Sequence, residues 1–149
     1  MDHPTPPHGL RPYLVIDGED DPIAFYEEAF GAELVYALRM PDGRIGHAEL
    51  RAFGERFALS HAFPEMNAQG PSARGGTTVS LGIYVQDVDA ATERAVAAGA
   101  ALERPIRDEF FGDRVAMLVD RFGHRWHLQT RQEDVSAEEM QRRLDAMMG

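Results

Sequence analysis

Phe53-Gly54-Glu55-Arg56-Phe57-Ala58-Leu59 (FGERFAL) returns 69 residues later as Phe122-Gly123-His124-Arg125-Trp126-His127-Leu128 (FGHRWHL). In both copies a turn glycine precedes an alternating strand, and the stretch ahead of each copy repeats as well. A shift of 68 pairs Gly31 with Gly99, Leu34 with Leu102, Arg39 with Arg107 and Leu50 with Leu118, so the second copy gains one residue before its turn. Upstream in the first copy, Tyr13–Ile16 is apolar and β-branched, a short strand. Asp21-Pro22 is a helix start, Ile23, Tyr26 and Phe30 share one helix face, and Gly31 supplies the stop. Strands follow at Leu34–Leu38, at His47–Ala52 after the turn Pro41-Asp42-Gly43, and at Phe57–His61. The second copy runs in the same order: strand Val79–Val85, a helix capped by Asp87 and reaching about Ala98, then strands Ala101–Pro105, Arg114–Val119 and Arg125–Thr130. Two βαβββ modules in tandem follow from this reading, an α+β fold.

Around the modules, residues 1–10 carry three prolines (Pro4, Pro6 and Pro7) and read as a flexible tail. Module one takes 11–63, a Pro- and Gly-rich linker 64–76, and module two 77–132, forming one domain over 11–132. Residues 133–149 form a C-terminal helix in which Ser136 and Glu139 make a capping box. Met140, Leu144 and Met147 share its apolar side, placed to lie on the body or on a partner subunit.

Composition narrows the function classes. The 149 residues carry 25 Asp+Glu against 15 Lys+Arg, a formal net charge of -10, which argues against a nucleic-acid or anionic-membrane surface. With no Cys, thiolate zinc sites, iron–sulfur clusters and Cys nucleophiles are excluded. Neither a secretory signal nor a membrane span is legible, so a cytoplasmic protein is expected. No dinucleotide fingerprint, phosphate-binding loop or nucleophile elbow is present.

Strand alternation sorts the side chains. Val79, Leu81, Ile83 and Val85 are uniformly apolar and are expected to meet the helices, leaving Ser80, Gly82 and Tyr84 for the other face. Trp126 and Leu128 read as core, which turns His127 and Gln129 the other way, as it does their repeat partners Ala58 and Ser60. Leu50 and Leu118 likewise leave His47, Glu49, Val115 and Met117 on the non-core face.

Several segments resemble the vicinal oxygen chelate superfamily, which includes glyoxalase I, bleomycin-resistance proteins, extradiol dioxygenases and fosfomycin-resistance enzymes, and within it the PhnB-like branch. They are Pro12-Tyr13-Leu14, Ile23 to Ala32, Gly43 to Leu50, Phe63-Pro64-Glu65-Met66, Tyr84 to Ala90, Gly112-Asp113-Arg114, Asp120 to His124 and Glu133 to Met140. Arg121 stands where the family's turn usually has Pro. The resemblance implies that each module curls into half a cup, that two halves enclose a small-molecule cavity, and that the protein is a homodimer. It places Arg11, Tyr13 and Val15 inward. Metal-dependent members of the superfamily ligate a divalent ion from four strand positions, which fall here on Arg11, Ala58, Ser80 and His127. Only His127 is a ligand type, so no cofactor is expected, with a divalent metal as the alternative.

The expected ligand-binding set is Arg11, Tyr13, Ser60, Ser80, Tyr84, Met117, His127 and Gln129, with Tyr13, Tyr84 and Met117 suited to a planar ligand. His47 and Glu49 are the candidate acid–base pair and, with His127, the weak candidate metal set. The competing reading has Glu49 pairing with an arginine such as Arg11. His3, His8, His61 and His124 read as solvated surface, and Asp113-Arg114 as a turn-fixing pair. Phe110-Phe111 reads as a lid or a dimer contact. The leading functional reading is bleomycin-resistance-type binding or sequestration of a small organic molecule. The alternative is a metal-dependent lyase, isomerase or dioxygenase of the same superfamily.

Overall fold

Asp21 caps the first helix in the computed structural model, which describes residues 3–5 and 9–149. Its Oδ1 accepts the backbone N–H of Ile23 at 3.0 Å and of Ala24 at 3.4 Å, so α1 (Pro22–Phe30) starts at the predicted residue. The tail expected over 1–10 lies partly outside the described residues. The chain order is β1 (Tyr13–Ile16), α1, β2 (Glu33–Arg39), β3 (Ile45–Ala52), β4 (Glu55–His61), then α2 (Pro71–Arg74) in the linker. Module two runs β5 (Ser80–Tyr84), α3 (Val88–Ala97), β6 (Ala101–Leu102), β7 (Arg107–Asp108), β8 (Asp113–Val119) and β9 (Arg125–Arg131), and α4 (Ala137–Met148) ends the chain.

Each module is one sheet with its first and last strands parallel and adjacent: β1-β4-β3-β2 in module one and β5-β9-β8-β6 in module two, with β7 also on β8. The two βαβββ copies read from the sequence are therefore present. One expected strand is not continuous. Regular pairing of Ala101–Pro105 with β8 ends at Leu102, followed by one further bond from Glu103 N to Met117 O at 2.8 Å; Pro105 has no N–H to give the ladder, and regular pairing returns at Arg107. Val79 is 58% exposed rather than packed on helices, since β5 begins one residue later.

The two modules share a core. α1 packs on α3, and Tyr26, fully buried, meets Phe57 edge-on from its own module and Trp126 from the other, with ring centroids 5.2 and 6.0 Å away. Its hydroxyl donates to Asp120 at 2.5 Å. Burial, reinforced by the Asp120 charge, pushes the Tyr26 phenol up. Asp120 also accepts from Trp126 Nε1 at 2.9 Å and from the backbone N–H of Phe122 and His124 at 2.8 and 3.0 Å. This carboxylate closes the β8–β9 turn and joins the modules at once.

The one-residue difference between the copies sits in these turns. Module one turns on Phe53 (φ 53°) and Gly54 (φ 81°), a two-residue hairpin of the left-handed kind that a glycine enters without strain. Module two spends one more residue and lets Asp120 hold the turn.

The linker is structured. A 3₁₀ turn (Pro64–Met66) and α2 fold back on module one, where Asp17 accepts from Gly70 N at 2.8 Å and Ala73 N at 3.1 Å. A Cβ at Gly70 would sit 2.8 Å from the Val15 carbonyl, so only glycine allows this approach. At the other end, Ser136 caps α4 by accepting from Glu139 N at 3.2 Å, while the Glu139 carboxylate turns to Arg142 and Arg143, which hold it at about 2. None of α4's residues is buried, and Arg143 ties it to the Phe110 carbonyl at 3.0 Å. No helix among the described residues is long and apolar enough to cross a membrane.

Candidate ligand-binding site

β-Pairing fixes which side chains share the concave face of module one. Parallel pairing of β1 with β4 sets Tyr13 beside Ala58 and Val15 beside Ser60, and antiparallel pairing of β3 with β4 sets Glu49 beside Ala58. Leu14, Ile16, Leu50, Phe57 and Leu59 all point into the core, so their alternates point out. On this face lies a pocket of about 630 Å³. Tyr13, Val15 and Ser60 form its floor, and Met40, Phe63 and Met66 its apolar walls. Arg44 stacks its guanidinium 4.4 Å over the Phe63 ring and also pairs with Asp42 at 2.8 Å, which fixes that wall. Beside the pocket, Tyr13 Oη and His47 Nδ1 share a hydrogen bond at 3.0 Å, and Tyr36 lies 5.6 Å from the same imidazole, tilted.

Of the residues singled out from the sequence, the structure brings Tyr13 and Ser60 into this pocket, with Arg11, His47 and Glu49 on the same sheet face. Met40, Arg44, Phe63 and Met66 were missed as lining residues. Gly43-Arg44 and Phe63 to Met66 stand out in the sequence, yet Phe63 to Met66 come over β1 through the linker folding back on Asp17, which no periodicity encodes, and there they meet Arg44 of the β2–β3 turn.

Glu49 is buried, and Arg11 forms an ion pair with it, as the competing reading expected. Arg56 approaches its other oxygen at 3.8 Å, and His47 Nε2 stands 4.0 Å away. A carboxylate held by two guanidiniums is a poor general base, because its negative charge is already matched.

Ser80, Tyr84, Met117, His127 and Gln129 sit on the concave face of the other sheet. The module-one pocket draws none of its lining from them. Here the polar groups close on one another. Tyr84 Oη donates to Asp113 at 2.7 Å, and Arg131 donates to Asp113 at 2.8 Å and to Tyr84 Oη at 2.8 Å. Gln129 adds a bond to the same carboxylate at 3.3 Å. The expected Asp113-Arg114 pair does not form: alternation sends the two to opposite faces, and Arg114 pairs with Asp89 and Asp108 instead. Arg104 donates to Glu109 at 2.6 Å and lies against Met117, whose cross-strand partner is His127. Burial, then the Arg125 cation and more weakly Arg104, hold His127 below the usual imidazole range against the opposite pull of Glu103.

Two of the remaining histidines, His61 and His124, correct the surface expectation. His61 is buried, its Nδ1 accepting from Ile45 N at 2.8 Å while Nε2–H donates to the Asp20 carbonyl at 3.1 Å. His124 is half-buried and donates from Nε2 to the Val15 carbonyl at 2.9 Å. His3 is exposed, and His8 lies outside the described residues.

The donor set of one chain does not fit a divalent ion of the superfamily's kind. Among the described residues no three His, Asp or Glu side chains converge. Glu49 is matched by arginines, and His127 has two arginines for neighbours.

A family model described as the Glyoxalase/Bleomycin resistance protein/Dioxygenase superfamily matches residues 14–128. An uncharacterised protein of Mycobacterium bovis is 37% identical over 135 residues, 89% of each chain. TioX from Micromonospora sp. ML1 superposes with a TM-score of 0.60 at 27% identity, covering 87% of this chain and 100% of that one. FosX of Listeria monocytogenes, a fosfomycin resistance protein, superposes at 0.62 with 21% identity over 91% and 99% of the two chains, a likeness of fold alone.

Proposed function

Because the chain belongs to the glyoxalase/bleomycin resistance protein/dioxygenase superfamily, we propose that it binds a small organic molecule against the concave face of module one, as a PhnB-like member acting by binding or sequestration without a firmly held metal. The observation that carries this reading is the pocket of about 630 Å³ with an aromatic and methionine wall and polar groups at its edge, Arg44, Ser60, Glu65 and Asn67. Such a lining suits a planar or apolar body oriented by one or two hydrogen bonds.

The proposal includes a second copy of the chain. Within one chain Ser80, Gly82 and Tyr84 of module two meet Glu55 and Arg56 of module one around a second pocket of about 620 Å³, while the pocket at Tyr13 and Ser60 has no module-two lining and is left for module two of a partner to close. The edge strand β2 supports this, since Leu34, Val35, Tyr36 and Leu38 are all at least 40% exposed on it and an uncovered apolar edge invites pairing. The superfamily commonly binds small molecules and oligomerises, which agrees.

One preparation tests the reading. The protein is purified without chelator, bound metal is quantified, and mass is measured by light scattering. Metal far below one per chain and a mass twice 16.6 kDa are expected. Near-stoichiometric manganese, iron, nickel or zinc, lost in His127→Ala or Glu49→Ala, would establish instead the metal-dependent lyase, isomerase or dioxygenase reading.

A further inference from the structure

The register of module one places three arginines in one row. Arg51 on β3 lies directly opposite Arg56 on β4, and the parallel pairing of β1 with β4, continued from Tyr13 beside Ala58, sets Arg11 beside Arg56. All three are on the concave face, the same face as Tyr13, Ala58 and Ser60. They line a cleft of about 580 Å³ together with Glu55. Like charges directly opposite on a sheet repel, and a chain of net charge -10 has carboxylates to spare for separating them. The carboxylates that face the row are few. Glu49 is one row away and is engaged by Arg11 and, at 3.8 Å, by Arg56. Glu33 is the cross-strand neighbour of Arg51 on β2, and Glu55 sits at the turn. Among the described residues Arg51 forms no ion pair with any of them, and its guanidinium is exposed.

The row and the aromatic pocket occupy one surface. Arg56 and Ser60 are four residue steps apart along β4, which is roughly 13 Å of strand. Between them Ala58, the smallest side chain on the path, is flanked by Glu49 and Tyr13. From this we infer that the arginine row is an anion subsite, so that the ligand of the module-one pocket is an elongated organic anion. Its apolar body sits among Tyr13, Phe63 and Met66, and its carboxylate, phosphate or phosphonate group lies about 10–13 Å away on Arg51 and Arg56. The inference rests on the pocket reading above and names the class of molecule for it. Guanidinium forks bind such oxyanions in pairs of parallel hydrogen bonds, which a lysine does not reproduce.

The test uses a matched pair of fluorescent probes, dansyl-6-aminohexanoate and its neutral carboxamide, titrated into the full-length protein. The expected result is that both bind, and that the carboxylate binds more tightly and weakens as salt is raised. Arg51→Ala then weakens the carboxylate about tenfold, the size of one lost charge-assisted contact, and leaves the carboxamide unchanged. Arg51→Lys restores part of the loss. Arg51 is exposed, so these variants fold, and an unchanged thermal melt verifies it. Equal binding of the two probes, untouched by Arg51→Ala, overturns the anion subsite and leaves the pocket reading standing. Failure of both probes to bind overturns the pocket reading and the subsite with it.

Discussion

On the concave face of module one, Tyr13, Val15 and Ser60 border open space, whereas on that of module two Tyr84, Asp113, Gln129 and Arg131 close on one another. The same contrast recurs at the turns. Asp120, two residues ahead of Phe122-Gly123, is buried and accepts four hydrogen bonds. Arg51, two residues ahead of Phe53-Gly54, is exposed at the edge of a cleft. The two modules share one strand order. Module two commits Tyr84, Asp113, Gln129 and Arg131 to one network and Asp120 to the junction between modules, whereas module one binds Glu49 to Arg11 and Tyr13 to His47 but leaves Arg51 unpaired among the described residues and Ser60 facing a pocket.

The largest test of this contrast exchanges stability between the two turns. Asp120→Ala removes an acceptor from four donors in a largely buried setting and is expected to cost about 3–5 kcal/mol in urea denaturation. Arg51→Ala, beside the turn of module one, is expected to change stability by less than about 0.5 kcal/mol. Equal costs at the two positions would erase the distinction. Next in size, Gly70→Ala forces a methyl against Asp17 and the Val15 carbonyl, at an expected cost of about 1–3 kcal/mol. Because the linker carries one wall of the pocket, the same variant should also weaken the neutral dansyl carboxamide.

Binding variants sharpen the comparison further. Phe63→Ala is expected to weaken the carboxamide about tenfold through lost stacking and apolar contact. Tyr84→Ala, an exposed aromatic of module two already bonded to Asp113 and Arg131, should weaken the carboxamide less than Phe63→Ala, since it reaches the probe only through the partner's module two. A loss from Tyr84→Ala comparable to that from Phe63→Ala would mean that module two of the partner contributes to the same pocket.

The smallest effect is a titration. His127 is held below the ordinary imidazole value by burial and by the Arg125 and Arg104 cations. Its native form therefore takes up a proton later than the unfolded chain as pH falls. Its contribution to stability is complete above the unfolded value of about 6.5 and is lost as pH drops through the native value. The imidazole C2 proton of His127 should titrate with a midpoint under about 6.5 by NMR. In His127→Gln the acid side of the stability profile should flatten.

How much of this was legible in the sequence differs by element. The alternation around Leu50, Leu118, Trp126 and Leu128 gave the core face of each sheet, and Asp21, Asp87 and Ser136 marked helix starts that the structure retains. These are local signals, each spanning a few residues. The break after Leu102 was written in Pro105 but was outweighed by the apolar run before it. His61 and His124 were misread because their partners are carbonyls 41 and 109 residues away, Asp20 and Val15, a distance over which no pattern operates. The pocket walls at Phe63 and Met66 escaped notice for the same reason, since Asp17 holds the linker over β1, and Met40 joins them from the β2–β3 turn. The arginine row was divided among three strands, and only the register of β1, β3 and β4 assembles it.

The central claim is that ligand meets the concave face of module one. An ¹⁵N–¹H NMR titration of the full-length protein with the dansyl carboxamide tests it most directly. Shifts concentrated at the amides of Tyr13, Ser60, Phe63 and Met66, with β8 and β9 quiet except where a partner copy closes over the probe, are the predicted result. Shifts confined to β5, β8 and β9, or none at saturating probe, would contradict it.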